Sequence, residues 1–274
     1  MADVVVVFDF DKTIIDCDSD NWVIDVLGGT QIFDELLKTL PWNSAMDTVM
    51  RELHSMGRTI EDIKESLRKA PLPSNTISAI KSAYDLGCEL RIVSDANRMF
   101  IETILEHHGL INYFSEINTN PCSVDEGRLR IFPYHDFQTN SSHGCSLCPP
   151  NMCKGIIVER IQDWALAKGK RIIYLGDGKG DYCPSLKLKE EDCVMPRKSY
   201  PLWELIIGNP LAVRAKIHGW SDAEELERIL LQLIKDPNMA DHQNAELFIS
   251  SDCKSQTVPL SAHEALPKAL PVPN

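Results

Sequence analysis

The sequence predicts an α/β protein, a doubly wound parallel sheet with a helical insertion, and three observations carry that expectation. Apolar or β-branched runs recur at "VVVVF" from Val4, "ELRIV" from Glu89 and "RIIYL" from Arg171, and more weakly at "CVM" from Cys193. Such nearly continuous runs suit parallel strands covered on both faces. Helical patterns lie between them: Ile77, Ile80 and Tyr84; Ile101, Ile104, Leu105 and His108; Ile157, Ile161, Trp164 and Ala165. Strand alternating with helix gives a doubly wound core. From Ser19 to about Ala70, in contrast, no strand pattern occurs.

Taken in order, the first strand runs into "DFDKT", which places Asp9 and Asp11 one residue apart at its end. Burying two unpaired carboxylates there is costly, so something must complete them. The strandless stretch follows, with "TQIFDELLKTL", "NSAMDTVMRELHSMG" and "TIEDIKESLRKA" as short helices and Thr59 with Asp62 as a helix N-cap pairing. "PLPSN" from Pro71 is a linker. Because the insertion leaves the core directly after the acidic strand end, it should overhang that end as a cap. The expected division is a core of residues 1–15 and 74–236, a cap of 16–73, and a tail of 237–274 whose polar, proline-bearing, aperiodic composition reads as disordered. "VDEGRLRIF" suggests a small hairpin, "HGCSLCPPNMCKG" carries clustered cysteines, and Leu226, Ile229, Leu230 and Leu233 mark a last amphipathic helix.

Composition excludes several functions. The chain has 274 residues, 43% of them hydrophobic, with a formal charge of -12, which suits a globular protein and argues against a nucleic-acid partner, because phosphate backbones need a basic face. No run approaches the roughly 20 apolar residues of a membrane span, and no basic, then apolar leader opens the chain; a cytoplasmic protein without a membrane partner is expected. Nine cysteines, an odd number scattered over a long chain, read as reduced thiols. The "NSS" at Asn140 matches a glycosylation acceptor, a pattern with many false positives.

Ligands of open α/β sheets bind beyond the carboxyl ends of the strands. Four features stand there or at a helix start: "DFDKT", "SDAN" from Ser94, Lys154, and "GDGKGD" from Gly176. Each has a plainer meaning as a turn, a cap or a solvated lysine. Their joint occurrence in this order does not.

These motifs resemble those of the haloacid dehalogenase-like (HAD) phosphatases: DxDxT as Asp9, Asp11 and Thr13, the hydroxyl as Ser94, the lysine as Lys154, and the acidic pair as Asp177 and Asp181. The likeness spans about Val4 to Asp236. "FDFDKTIIDCDSDNW", "IVSDAN", "CPPNMCKG" and "YLGDGKGDYCPSL" look like the phosphoethanolamine/phosphocholine phosphatase branch, whose plant members include enzymes described as acting on pyrophosphate or thiamine monophosphate; "VMPRKSYPLWELI" is similar to theirs. The resemblance implies Mg²⁺ held by the Asp9 carboxylate, the Asp11 main-chain carbonyl and Asp177, with Asp181 supporting the loop through water or Lys154.

The chemistry agrees with those roles. Asp9 can attack phosphorus and carry an aspartyl phosphate, and Asp11 can protonate the leaving group and then take a proton from water. Ser94 and Lys154 would hold the phosphoryl oxygens. A hard cation between carboxylates and phosphate relieves their repulsion. A phosphotransferase, which would pass the group to an alcohol, and a non-catalytic binding protein on the same scaffold are the competing classes; the second should lack a nucleophile or metal ligand, and none is missing.

A lid over the strand ends favours a small-molecule phosphate. In the resembling branch Asp20 and Asp95 face the substrate's cationic end, and carboxylates do attract ammonium or thiazolium groups, with Trp22 or Trp42 adding cation–π contact. The other role for Asp20 is capping the helix in "SDNW". Phosphoethanolamine, phosphocholine or thiamine monophosphate is therefore expected, with pyrophosphate the first alternative, since it needs extra positive charge from a second ion or from lysines such as Lys12 or Lys179. Cys145, Cys148 and Cys153, with His143 nearby, are expected to pack the loop that delivers Lys154; a metal site is the alternative reading.

Overall fold

A computed structural model describes residues 3–137 and 143–235 of the chain. The proposed tail and the Asn140 acceptor lie outside the described residues. Strand β1 (Val4–Phe8) is followed by four helices, α1 (Ser19–Leu27), α2 (Thr30–Leu37), α3 (Trp42–Ser55) and α4 (Ile60–Leu67). The chain continues through α5 (Ser74–Asp85), β2 (Glu89–Asn97), α6 (Arg98–His107), β3 (Phe114–Asn120) and the hairpin β4 (Cys122–Asp125) and β5 (Arg128–Ile131). It ends with α7 (Lys154–Ala167), β6 (Arg171–Gly176), the short α8 (Tyr182–Ser185), β7 (Cys193–Pro196), α9 (Pro201–Gly208), β8 (Lys216–Ile217) and α10 (Ala223–Lys235).

Six strands form one sheet in the order β3-β2-β1-β6-β7-β8, and every pairing in it is parallel. This is the doubly wound α/β core with a helical cap. Alternation along the strands builds its two apolar layers. Val4, Val6 and Phe8 of β1 join Ile173 and Leu175 of β6 under α5, α6 and α10, whereas Val5 and Val7 join Ile172 and Tyr174 under α7 and α9. A strand buried on both faces cannot alternate apolar with polar, which is why β1 reads as unbroken valine.

Two strands were not expected from the sequence. β3 is an edge strand with polar Ser115, Glu116 and Asn118 along it, and β8 has only two residues. Neither carries an apolar run. In α5 the expected stripe ends differently too: Ile80 is buried, but Tyr84 is 49% exposed and meets Tyr113 edge-on at 5.0 Å.

The four inserted helices share the first apolar layer through Val23, Phe33, Met46, Leu53 and Leu67. α4 begins with the expected reciprocal cap, Asp62 N–H donating to Thr59 Oγ1 at 3.2 Å and Thr59 N–H donating to Asp62 Oδ2 at 2.8 Å. Trp22 Nε1 donates to the Ser66 carbonyl at 2.8 Å and so ties α1 to α4. The β4–β5 hairpin, which the sequence division places within the core, is fastened to α3 of the cap. Arg130 pairs with both oxygens of Asp47 at 3.0 and 3.3 Å, and Ile131 N–H adds a third bond at 2.9 Å.

Candidate active site

The functional side chains come from the carboxyl ends of three adjacent strands and from one helix start. Asp9 directly follows β1, its N–H still bonded to Leu175 O at 2.9 Å. Ser94 and Asp95 end the straight part of β2. Asp177 and Asp181 sit in the turn after β6, and Lys154 is the first residue of α7.

These groups meet around one buried ammonium. Lys154 Nζ lies 2.8 Å from Asp9 Oδ1, 2.9 Å from Asp181 Oδ1 and 3.9 Å from Asp95 Oδ1. Asp181 is fully buried and saturated: Lys154 and the Tyr174 hydroxyl (2.7 Å) donate to Oδ1, while the N–H groups of Asp177 (3.1 Å) and Gly178 (2.9 Å) donate to Oδ2. Gly176 permits this approach, because a Cβ there would lie 2.5 Å from Asp181 Cγ. On Asp9, Lys154 and the Phe10 N–H both engage Oδ1, which leaves Oδ2 for a further bond.

The loop after β1 is held just as firmly. Asp11 Oδ1 accepts the Ser19 N–H at 2.9 Å at the start of α1. Lys12 adopts φ 54°, its carbonyl held by Arg197 Nη1 at 2.7 Å. Its ammonium lies 3.7 Å from Asp18 and, after Lys154, partly offsets the burial and the Asp181 charge that raise the pKa of Asp177.

Too much negative charge is gathered here for one lysine. Burial, then Asp181, pushes Asp9 well above the usual carboxylate range against the pull of Lys154. The same two causes raise Asp177 to about 7, and burial followed by Asp18 raises Asp11 to about 8. Burial opposes the Lys154 ammonium, yet Asp181 and Asp9 outweigh it and hold the charge. Carboxylate oxygens of Asp9, Asp177 and Asp181 lie within 4.8 Å of one another. A hard, oxygen-loving divalent cation fits this donor set. With Asp181 already saturated, Asp9 and Asp177 are the carboxylates available to it.

Ser94 is fully buried, its Oγ accepting the Ala96 N–H at 3.3 Å. Asp95 is half exposed beside Lys154. Asp20 is not the cap of α1: Asp18 is, accepting the Asn21 N–H at 3.0 Å. The buried Asp20 carboxyl instead accepts the Trp42 Nε1–H on Oδ2 at 2.7 Å, and its buried Oδ1 has no hydrogen-bond partner among the described residues. Burial, then Asp18 and Asp11, pushes Asp20 well above its ordinary pKa.

Sequence reasoning missed Tyr174, Asp18, Arg197 and Cys183. Tyr174 and Asp18 hide in an apolar strand and an acidic loop, and nothing marks them. Arg197 follows β7 at a strand end, and its place in the row of carboxyl termini was the available signal.

A family model described as "Putative Phosphatase" matches residues 4–234. The chain is 59% identical over 256 residues to Inorganic pyrophosphatase 2 of Arabidopsis thaliana, a match covering 92% of this chain and 91% of that protein. It is 56% identical over 274 residues to Inorganic pyrophosphatase 1 of the same plant, covering 96% and 92%, and 55% identical over 237 residues to its Thiamine phosphate phosphatase-like protein, covering 85% and 96%. Among solved structures, substrate-bound phosphoserine phosphatase aligns with a TM-score of 0.55 at 15% identity, over 83% of this chain and 96% of that one. That likeness is one of fold.

Proposed function

The chain belongs to this phosphatase family, a group of HAD-like hydrolases, and from that premise we propose that it hydrolyses inorganic pyrophosphate with Asp9 as nucleophile. The observation that carries phosphoryl transfer is the buried Lys154 ammonium touching Asp9 and Asp181 beside Asp177.

The Asp9 and Asp177 carboxylates and the Asp11 main-chain carbonyl would hold Mg²⁺, which when bound would neutralise charge on the phosphoryl oxygens. Lys154 and Ser94 orient those oxygens, and Asp9 Oδ2 attacks phosphorus to give an aspartyl phosphate. Asp11, whose raised pKa keeps it largely protonated near neutrality, donates to the leaving oxygen and afterwards accepts a proton from water. Asp181 keeps Lys154 and the Asp177 loop in place.

Near-full-length identity to two inorganic pyrophosphatases supports pyrophosphate as substrate. Burial pushes the Asp20 pKa well above the usual carboxylate range, which lessens the repulsion this carboxyl would exert on a pyrophosphate anion. The half-exposed Lys12 ammonium beside Asp18 adds positive charge at the same loop. A second reading, a phosphate ester of an organic cation such as phosphoethanolamine, phosphocholine or thiamine monophosphate, is favoured by the unpartnered Asp20 Oδ1.

The test is kcat/KM in magnesium across pyrophosphate and those three esters, for the wild type and Asp20→Asn. Pyrophosphate should lead by at least about tenfold and survive the substitution. A preference for a cationic ester, lost selectively in Asp20→Asn, would move the assignment to the second reading.

A further inference from the structure

Away from the phosphate site, four sulfurs converge from two separate parts of the chain. Cys145, Cys148 and Cys153 lie just before α7, and Cys183 lies in α8; their Sγ atoms are all within 4.8 Å of one another. Cys145 and Cys183 are 3.6 Å apart, and Cys153 and Cys183 are 4.0 Å apart. A tetrahedron of thiolates about 2.3 Å from a central zinc ion has edges of about 3.8 Å, so these separations bracket the required one. Disulfide pairing would explain only two sulfurs at a time and requires about 2.05 Å between them; no disulfide is formed among the described residues.

We propose that Cys145, Cys148, Cys153 and Cys183 bind one structural Zn²⁺ as a closed tetrathiolate, fastening the Lys154 helix to the loop that carries Asp177 and Asp181. On this proposal the cysteines expected to pack the loop that delivers Lys154 would also bind a metal, the alternative reading of the sequence. Its fourth ligand is Cys183, not His143. The histidine is used otherwise: Nδ1 accepts the Cys145 N–H at 3.1 Å and Nε2 donates to Pro149 O at 2.8 Å, which makes it a strut for the ligand loop.

Packing around the sulfurs is specific. A Cβ on Gly155 would lie 2.5 Å from Cys183 Sγ, so glycine is what lets that sulfur sit against the first turn of α7. Cys153 and Cys183 are buried and the other two are half-buried, and four thiolates fill a tetrahedral coordination sphere without a water. Soft thiolates select zinc over Mg²⁺, while the hard carboxylate oxygens at the phosphate site suit the more abundant Mg²⁺, so the two sites draw on different ions. Binding would release the thiol protons to solvent. The consequence is positional: Cys153 precedes Lys154 and Cys183 follows Asp181 by two residues, so one ion would fix the two ends of the 2.9 Å Lys154–Asp181 contact.

The test is elemental analysis of the full chain, purified under reducing conditions and dialysed against a chelator, together with cobalt replacement and free-thiol counting. About one zinc per chain should remain, and Co²⁺ should give the intense sulfur-to-cobalt bands of a tetrahedral thiolate site, which carboxylate-bound cobalt lacks. Cys148→Ser should lower retained zinc at least about tenfold. If that variant fails to fold, the wild-type cobalt spectrum decides instead. Folded, active protein with less than about 0.1 zinc per chain and no sulfur-to-cobalt bands would overturn the proposal, as would pairwise loss of free thiols in the metal-free protein.

Discussion

Replacing Asp181 with Asn keeps the shape of the side chain and removes half of what it does. The carboxylate receives four donors, two on each oxygen: Lys154 and Tyr174 at 2.9 and 2.7 Å, and the N–H groups of Asp177 and Gly178 at 3.1 and 2.9 Å. An amide has one oxygen, so whichever way it turns, its NH₂ faces two donors. Hydrogen bonds to a charged group contribute roughly 1.5–3 kcal/mol each, which puts the loss at about 3–6 kcal/mol. Part of it should appear as lower stability in urea, and part as displacement of Lys154 or the Asp177 loop, lowering kcat/KM by at least about 100-fold, or about 2.7 kcal/mol. Tyr174→Phe is the control: it removes one of the four donors and should cost roughly 1.5–3 kcal/mol, about half the Asp181→Asn loss, with kcat/KM within about tenfold. Urea unfolding and steady-state kinetics in magnesium measure both. Asp181→Asn with stability within about 1 kcal/mol of wild type and full activity would refute the account of this carboxylate.

Two further outcomes concern pH. The folded pKa of Asp20 is raised, so its contribution to stability is complete below the unfolded carboxylate range and is lost as pH rises through the folded value; Asp20→Asn should melt a few degrees above wild type near pH 8, at about 2–4 °C per kcal/mol, with the gap narrowing toward pH 5 and closing below about pH 4. Equal melting at both pH values, followed by scanning fluorimetry, would contradict this. Asp11 is raised to about 8 by burial and then by Asp18, and as proton donor it must stay protonated, so kcat/KM for an alkyl phosphate should fall above about pH 8. Asp18→Asn preserves the α1 cap but removes a like charge, and the basic limb of the profile should move to lower pH; an unmoved limb would exclude Asp11 as the titrating donor.

The core was legible because a strand covered on both faces must be apolar throughout, and "VVVVF" and "RIIYL" have no other comfortable place. Asp9, Lys154, Asp177 and Asp181 were legible for a related reason: charged residues directly after such strands, or opening a buried helix, need partners. What stayed hidden depends on contacts between distant segments. Cys183 and Tyr174 sit 38 and 7 residues from the partners that explain them, and neither has a local pattern. The edge strand β3 was masked by polar residues that serve ion pairs, such as Glu116 with Arg91 at 2.8 Å. Asp20 read as a possible cap because "SDNW" offers several oxygens, and only the backbone decides that Asp18 takes that place.

The central claim is that phosphorus passes through Asp9. The most direct measurement is rapid acid quenching of Asp11→Asn, which lacks the group assigned to activate water and should therefore hold the phosphoryl enzyme longer, during turnover of labelled pyrophosphate, followed by peptide mapping. One phosphoryl group on the peptide bearing Asp9, absent when Asp9 is also Asn, is the predicted result. Turnover that proceeds with no phosphoryl group on Asp9, or with one on another residue, would contradict it.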